Sequence, residues 1–389
     1  MNESNAMTDV LAATKALAPE IRARAEEIEK GRQLPPDLAK TMARAGLFRM
    51  LVPADIGGLE CDPWTIVETI EAAAAADASA GWCVMIAATT CLKSAFLDED
   101  VARDIYGDPD VICGGVFQPA GRAVVDGSDF VVSGTWQWAS GSPNCDWLSG
   151  GCLVVDDGEV LKLPNGVADA RMVIFPAAEA TLVDDWHVAG LCGSGSGSMV
   201  VDTLRVAQRY SVSIVTDKPK MGGAHYAFPS FGMLALGVAS VALGNAQAAL
   251  DDLIDVAASK TPQASRRVLA KRAHAQTELA GKTAALRSAR SYVEDCVGQA
   301  WDDAQGKGEI SVEARTNLRL ACTHAVRTGA DVCRAMYELG GGSSLFLTSP
   351  LQRRFRDAFA MTQHMITAPA TFELTGRILM GLETDHTFL

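Results

Sequence analysis

Of the six histidines in this chain, one, His364, sits in FRDAFAMTQHMITAP (355–369) among Phe, Ala, Met, Thr and Ile. Imidazole is the side chain whose ordinary pKa lies nearest neutrality, so a histidine in apolar surroundings is either a satisfied core residue or a proton-handling group. His364 follows Asp357 by seven residues, about two helical turns. Arg353 and Asp357 stand four apart, the spacing of an ion pair along one helix face. The other histidines (187, 225, 274, 324, 386) form no HxxxH or HExxH pair, so the sequence predicts no metal site.

Two further stretches carry groups suited to a cofactor. GTWQWASGSPNCDW (134–147) places three tryptophans beside Ser140 and Ser142. Strand alternation would put Trp136 and Trp138 on one face, as core packing or as a platform for a flat ring. LCGSGSGSMVV (191–201) spaces Gly193, Gly195 and Gly197 as GxGxG with Ser194 and Ser196 between them. Such a run lets backbone N–H groups approach a phosphate or a planar ring, although alone it also reads as a surface turn. Neither a strand–GxGxxG–helix unit nor a GK[ST] loop is present, so no self-contained nicotinamide or P-loop site is expected. ELGGGSSLFLTSPLQRRFRD (338–357) joins a Gly-rich turn containing Gly341 and Gly342 to a basic helix start, and TPQASRRVLAKRAHAQ (261–276) offers Arg266, Arg267 and Arg272 to a phosphate or to solvent.

The elements that must position these groups fall in three blocks. Residues up to about 110 are helical in pattern, with a break in the Ala-rich 63–97 stretch near Gly81. RAVVDGSDFVVSGTWQW and CLVVDDGEVLKL are β-branched runs around DG turns, marking a hairpin-rich region to about 215. Helical spacing returns over 226–258, 262–304 and 309–339, followed by two shorter helices. The order predicts an α+β fold in three domains, 7–111, 112–220 and 221–389.

A net charge of −13 argues against nucleic acid or an anionic membrane as the main partner. The uncharged segment FGMLALGVASVALGNAQAAL (231–250) is long enough to span a bilayer, but its Ser240, Asn245 and Gln247 and its lack of basic flanks fit a bundle core instead. Ten scattered cysteines with no CxxC pair and no secretory signal read as reduced thiols of a cytoplasmic protein. Residues 4–7, SNAM, read as a tag-cleavage scar.

Together these segments resemble the acyl-CoA dehydrogenase superfamily over nearly the whole chain. GTWQWASGSPNCDW looks like its flavin-side W-I-T-N strand, VFQPAGR (116–122) like its T-E-P-x-A-G-S-D loop, and GGGSSLFLTSPLQRRFRDA like its G-G-x-G and R-D-A segment. The resemblance implies an N-terminal helical domain, a middle β-barrel-like domain, a C-terminal four-helix bundle and a homotetramer. It also implies an absence: where dehydrogenases keep the glutamate of Y-E-G-T as base, this chain has Met365, and the alternative glutamate position falls on Leu234. Methionine takes no proton, so thioester desaturation is not expected.

The chain is most similar to the two-component flavin monooxygenase branch, in W-x-F-x-S-G (Trp136, Trp138, Ser140, Gly141), in the Gly190–Ser196 loop, in SPLQR (349–353) and in a histidine after R-D. That implies reduced flavin, FMN or FAD, supplied by a separate NAD(P)H-dependent reductase, and dioxygen, reacting to a flavin hydroperoxide that oxygenates a small aromatic or heteroaromatic substrate. His364 would hold the peroxide or take a substrate proton, and Ser140 would bond the central ring nitrogen. Phe117, Gln118, Trp138, Gly193, Ser194, Gly195, Ser196, Gly341 and Gly342 would hold the flavin, and Trp82, Thr90, Met361 and Met365 would line the substrate pocket. Phenol-hydroxylating relatives often carry a histidine where this chain has Thr90, which leaves indoles, sulfur or nitrogen oxidation, or another aromatic open. The competing readings are an FAD-dependent acyl-CoA dehydrogenase, which requires a pocket carboxylate, and a non-catalytic homologue, which predicts no affinity for flavin.

Overall fold

The computed structural model describes residues 9–389 except Ile214, Ala264 and Phe388, and the SNAM stretch lies outside them. Six helices come first: α1 (Val10–Ala23), α2 (Ala25–Gly31), α3 (Pro36–Arg44), α4 (Pro63–Ala76), α5 (Ala78–Cys91) and α6 (Glu99–Tyr106). Aspartates cap three of them, and Asp9 accepts from the Ala12 N–H at 2.9 Å. Asp62 accepts from the N–H groups of Trp64 and Thr65, and Asp77 accepts from that of Ala80 at 3.0 Å. The expected break near Gly81 falls instead at Asp77, because capping by its carboxylate opens a new helix there. Gly81 lies inside α5, where a Cβ would stand 2.6 Å from that of Ala74, so the glycine lets α4 and α5 close on each other.

The sheet strands are β1 (Cys113–Asp126), β2 (Asp129–Trp136), β3 (Trp147–Asp156), β4 (Glu159–Val160), β5 (Ala170–Pro176), β6 (Thr181–Val183), β7 (Ser198–Ala207) and β8 (Ser211–Val212). They pair in the order β6-β7-β2-β1-β3-β5-β8, with β4 on β3. Both DG turns make hairpins: Val124 pairs with Val131 across the first, and Val155 with Val160 across the second. The β1–β3 pair is parallel, so the sheet is mixed. Trp136 is fully buried over Gly121, Gly134 and Gly150, where any Cβ would come within 2.2–2.7 Å of its indole, and its Nε1 donates to the Gly151 carbonyl at 2.7 Å. Three missing side chains on three adjacent strands thus make the slot that one tryptophan fills.

Five helices complete the chain: α7 (Ser230–Ser259), α8 (Ala273–Lys307), α9 (Val312–Gly340), α10 (Pro350–Met361) and α11 (Ala370–Leu379). The helix expected from 262 begins only at Ala273; ahead of it the Leu269 N–H turns back to the Lys260 carbonyl at 2.8 Å and a 3-10 turn follows over Leu269–Lys271. Helix α7 is long and apolar enough to cross a membrane, but 94% of its apolar window is buried inside the protein, against α4, α5, α9 and α10. Its Gly244 brings it onto α4, where a Cβ would stand 2.3 Å from the Glu71 carbonyl. Arg354 of α10 ties the assembly together. Its guanidinium donates to the carbonyls of Ala74, Ala75 and Ala76 at the C-terminus of α4, where the helix dipole favours a cation, and to Asp252 of α7 at 3.2 Å.

Candidate active site

His364 lies outside the helix expected to carry it. Helix α10 ends at Met361, and His364 opens a 3-10 turn over Met365–Thr367, its Nδ1 accepting the Ile366 N–H at 3.3 Å. A backbone N–H always donates, so Nδ1 is bare and the neutral ring carries its proton on Nε2. Burial, helped by the nearby positive charge of Arg319, pushes the imidazole down to about 4, and the ring is neutral at physiological pH. One face of the site is therefore a fixed N–H donor. The ring meets the Trp82 indole of α5 edge-on, with centroids 5.6 Å apart.

From Trp82 a directed chain of hydrogen bonds runs into the sheet domain. The indole Nε1–H donates to Ser140 Oγ at 3.0 Å; Ser140 and Ser196 share a hydroxyl bond of 2.7 Å, as do Ser196 and Ser194; and Ser194 donates to the Leu191 carbonyl at 2.7 Å. Each hydroxyl has one proton. Since that of Ser194 goes to a carbonyl, Ser196 donates to Ser194 and Ser140 to Ser196, which leaves Ser140 with only an accepting lone pair to offer. Backbone bonds zip the same two loops together: the Ala139 N–H donates to the Gly197 carbonyl at 3.0 Å and the Gly141 N–H to that of Ser194 at 2.8 Å.

The Gly-rich run is buried rather than a surface turn. Gly193 is pressed so closely on α2 that a Cβ would stand 2.1 Å from Ile28 Cγ2, and Leu191 and Gly195 take left-handed backbone, at φ 53° and 56°. Asp357 of α10 fixes its entrance by accepting the Leu191 N–H at 2.7 Å. That contact replaces the expected Arg353–Asp357 pair: Arg353 reaches Glu29 of α2 at 2.8 Å, and Asp357 is turned into the interior. Burial, with the neighbouring buried Asp77 adding repulsion, raises the Asp357 carboxyl to about 7.

Trp136 and Trp138 do not share a strand face. Strand β2 ends at Trp136, and Trp138 takes left-handed backbone at φ 64°, which swings its indole outward to 60% exposure while Trp136 stays in the core. A bulky residue held there is strained and exposes a large apolar plane, two features that folding alone does not reward.

The side chains around His364 close into a ring. His364 touches Trp82; the face of α5 that carries Trp82 and Ile86 continues to Lys93 in the following 3-10 turn; Lys93 Nζ lies 5.6 Å over the Phe117 ring; Phe117 tilts on Phe231 at 6.1 Å; and Arg319 donates to the Phe231 carbonyl at 3.2 Å, with its charge acting on His364. None of the six is a carboxylate. The two positions where a dehydrogenase base would stand hold Leu234, buried, and Met365, 68% exposed.

Of the other residues singled out from sequence, Thr90 and Met361 are buried, and Gln118 is exposed beside Phe117 on β1. Gly341 and Gly342 line a separate surface cavity of about 310 Å³ with Lys260, Arg272 and His274. Lys93, Phe231 and Arg319 escaped the sequence reading. Lys93 was recoverable, since it stands 11 residues, about three turns, after Trp82 on one helix face.

The residues gathered here fit a flavin by the chemistry of their donors and acceptors. An isoalloxazine is a planar ring edged with neutral N–H, nitrogen and carbonyl groups. The site offers an outward indole plane at Trp138, an acceptor at Ser140, the Nε2–H of His364, and at Thr367 a buried hydroxyl with no partner among the described residues.

A helical front, a mixed sheet and a helical bundle enclosing an imidazole-bearing ring of side chains, with no carboxylate among the described residues of that ring, define a flavoprotein of the acyl-CoA dehydrogenase fold. Residues 8–98 match the family "Acyl-CoA dehydrogenase, N-terminal domain" and residues 236–369 match "Acyl-CoA dehydrogenase, C-terminal domain". The chain is 33% identical to the indole-3-acetate monooxygenase of Pseudomonas putida, over 92% of this chain and 90% of that protein. It is 28% identical to the flavin-dependent monooxygenase, oxygenase subunit HsaA, of Mycobacterium tuberculosis, over 98% and 97%. The crystal structure of the HsaA monooxygenase superposes with a TM-score of 0.89 at 26% identity, covering 98% of this chain and 100% of that one. The chain belongs to the acyl-CoA dehydrogenase superfamily, in its flavin-dependent monooxygenase branch.

Proposed function

We propose that this chain is the oxygenase component of a two-component monooxygenase that oxygenates a small aromatic or heteroaromatic substrate, with indole-3-acetate, the substrate named for the Pseudomonas relative, as the first compound to try. The observation that carries the reading is His364, a neutral imidazole that has, among the described residues, no hydrogen-bond partner for its Nε2–H and no carboxylate in the ring of side chains around it. Bound reduced flavin would supply the two electrons that split dioxygen, one oxygen atom going to the substrate and the other to water. His364 would hold its proton at Nε2 and donate a hydrogen bond to an oxygen acceptor. The accepting lone pair of Ser140 fits a ring N–H, which reduced flavin carries at N5 and oxidised flavin does not. Trp138 would cover one face of the cofactor, and the aromatic ring would keep water out, which strengthens each polar contact inside it.

A separate NAD(P)H-dependent reductase is supported by the relatives that are named as oxygenase subunits or components. A homotetramer is supported by the solvent-exposed run Leu345, Phe346, Leu347, all three 67–75% exposed, which a neighbouring copy would cover. The domain limits 7–111, 112–220 and 221–389 are proposed as the units of folding. The test is to supply the protein with an NADH-dependent flavin reductase, NADH, FMN or FAD, air and indole-3-acetate. Oxygenated product that needs every component is expected, and anaerobic bleaching of protein-bound FAD by an acyl-CoA would overturn the reading.

A further inference from the structure

A buried lysine occupies the ring and the proposed reaction gives it no task. Lys93 is 2% exposed, and its ammonium contacts Ser149 Oγ at 2.5 Å and the face of Phe117. Burial lowers its amine to about 8, so it remains mostly a cation at neutral pH, and the titratable groups acting on it are the thiols of Cys113, Cys91 and Cys145, with no Asp or Glu among them. Taking an ammonium out of water without an anion is costly, and an apolar side chain of the same volume would serve the fold better. A lysine kept in that state has a partner that arrives later.

We propose that Lys93 is the anion anchor of the substrate site, binding the carboxylate of an aryl-carboxylic acid whose ring is held between Trp82 and Phe117 and whose reacting carbon faces His364. The inference rests on the proposed monooxygenase reading and adds to it the substrate's charge. Geometry supports it. Lys93 follows Trp82 by 11 residues, about three turns, so the two side chains leave the same face of α5 and of the 3-10 turn that continues it. Phe117 and Phe231 supply apolar walls between the two ends, and Ser149 holds the ammonium in place by its own hydroxyl, which donates onward to the Gly114 carbonyl at 3.2 Å.

The experiment compares two probes of equal shape, indole-3-acetate and indole-3-acetamide, by calorimetric titration of the wild-type protein and of Lys93→Met and Lys93→Arg. Wild type should prefer the acid by about 10- to 100-fold, the worth of one charge-assisted hydrogen bond. Lys93→Met should bring that ratio close to one, and Lys93→Arg should keep most of it. Equal binding of the two probes by wild type, a measurement that needs no variant, overturns the proposal. So does an acid preference that survives in a folded Lys93→Met protein. Affinity for reduced FMN is measured alongside: a loss there, with the acid preference intact, assigns the cation to the flavin and rejects the substrate role. Failure of the monooxygenase reading has a different signature, namely no oxygenated product from either probe when wild type is given reductase, NADH and air.

Discussion

Trp82 and His364 meet edge to face, 5.6 Å apart with their planes at 68°, and through this one contact the turn after α10 is joined to the serine chain of the sheet domain. The histidine is oriented by the Ile366 N–H behind it and the indole beside it. Its proton is thereby fixed at Nε2 without any carboxylate partner.

The first consequence concerns pH. With His364 neutral down to about 4, the oxygenation rate should not fall as pH crosses 6.5. Stability behaves differently. The folded-state value lies below the ordinary 6.5, so as pH drops the unfolded chain takes up this proton first, and the stabilisation present above 6.5 is lost between 6.5 and about 4. Comparing thermal unfolding of wild type and His364→Ala from pH 8 to pH 4 should show a shallower acid slope in the variant.

The second consequence is a preference for the reduced cofactor. Because the proton of Ser140 is committed to Ser196, its free lone pair receives a ring N–H and has no proton for a bare ring nitrogen. Wild type should bind reduced FMN or FAD more tightly than the oxidised form. Ser140→Ala should narrow that ratio by about 5- to 10-fold, the size of one net hydrogen bond. The variant also leaves the Trp82 N–H without its acceptor, at about 1–3 kcal/mol of stability. Anaerobic fluorescence titration of both redox forms reads the ratio, and unfolding curves read the stability.

A third consequence follows from Asp357. Its value of about 7 lies above the ordinary 3.8, so the folded protein keeps a proton that the unfolded chain has lost, and this contribution to stability disappears as pH rises from about 4 to about 7. Asp357→Asn keeps an oxygen for the Leu191 N–H and removes the ionisation. It should unfold at a temperature equal to or above that of wild type at pH 8, with a flatter profile between pH 5 and 8. Asp357→Ala strands the Leu191 N–H and should lose about 1–3 kcal/mol at both pH values.

Much of the architecture was legible because it is written in local patterns. The DG turns set both hairpins, and the uncharged α7 segment marked the bundle core through its small residues. Legibility failed where a distant partner decides. Nothing near Trp138 announces left-handed backbone, so strand alternation put it beside Trp136. Helical spacing paired Arg353 with Asp357, whereas Glu29, more than 320 residues away, claims the arginine and a loop N–H claims the aspartate. At the site, the histidine was visible as the polar residue of an apolar stretch, and Ser140, Ser194 and Ser196 as hydroxyls in two short runs. The direction of their bonds, and the inclusion of Lys93 and Arg319, depend on how α5, β1 and α9 are brought together.

The central claim is that the Nε2–H of His364 directs oxygen to the substrate. Its most direct measurement is coupling: oxygenated product and hydrogen peroxide formed per NADH consumed, in wild type and His364→Ala, with reductase, flavin and an accepted aromatic substrate. The variant should lose about 10²–10³-fold in product formation as a positioned donor is removed, and release hydrogen peroxide in place of product. Product formed by His364→Ala at the wild-type rate and coupling would contradict the account.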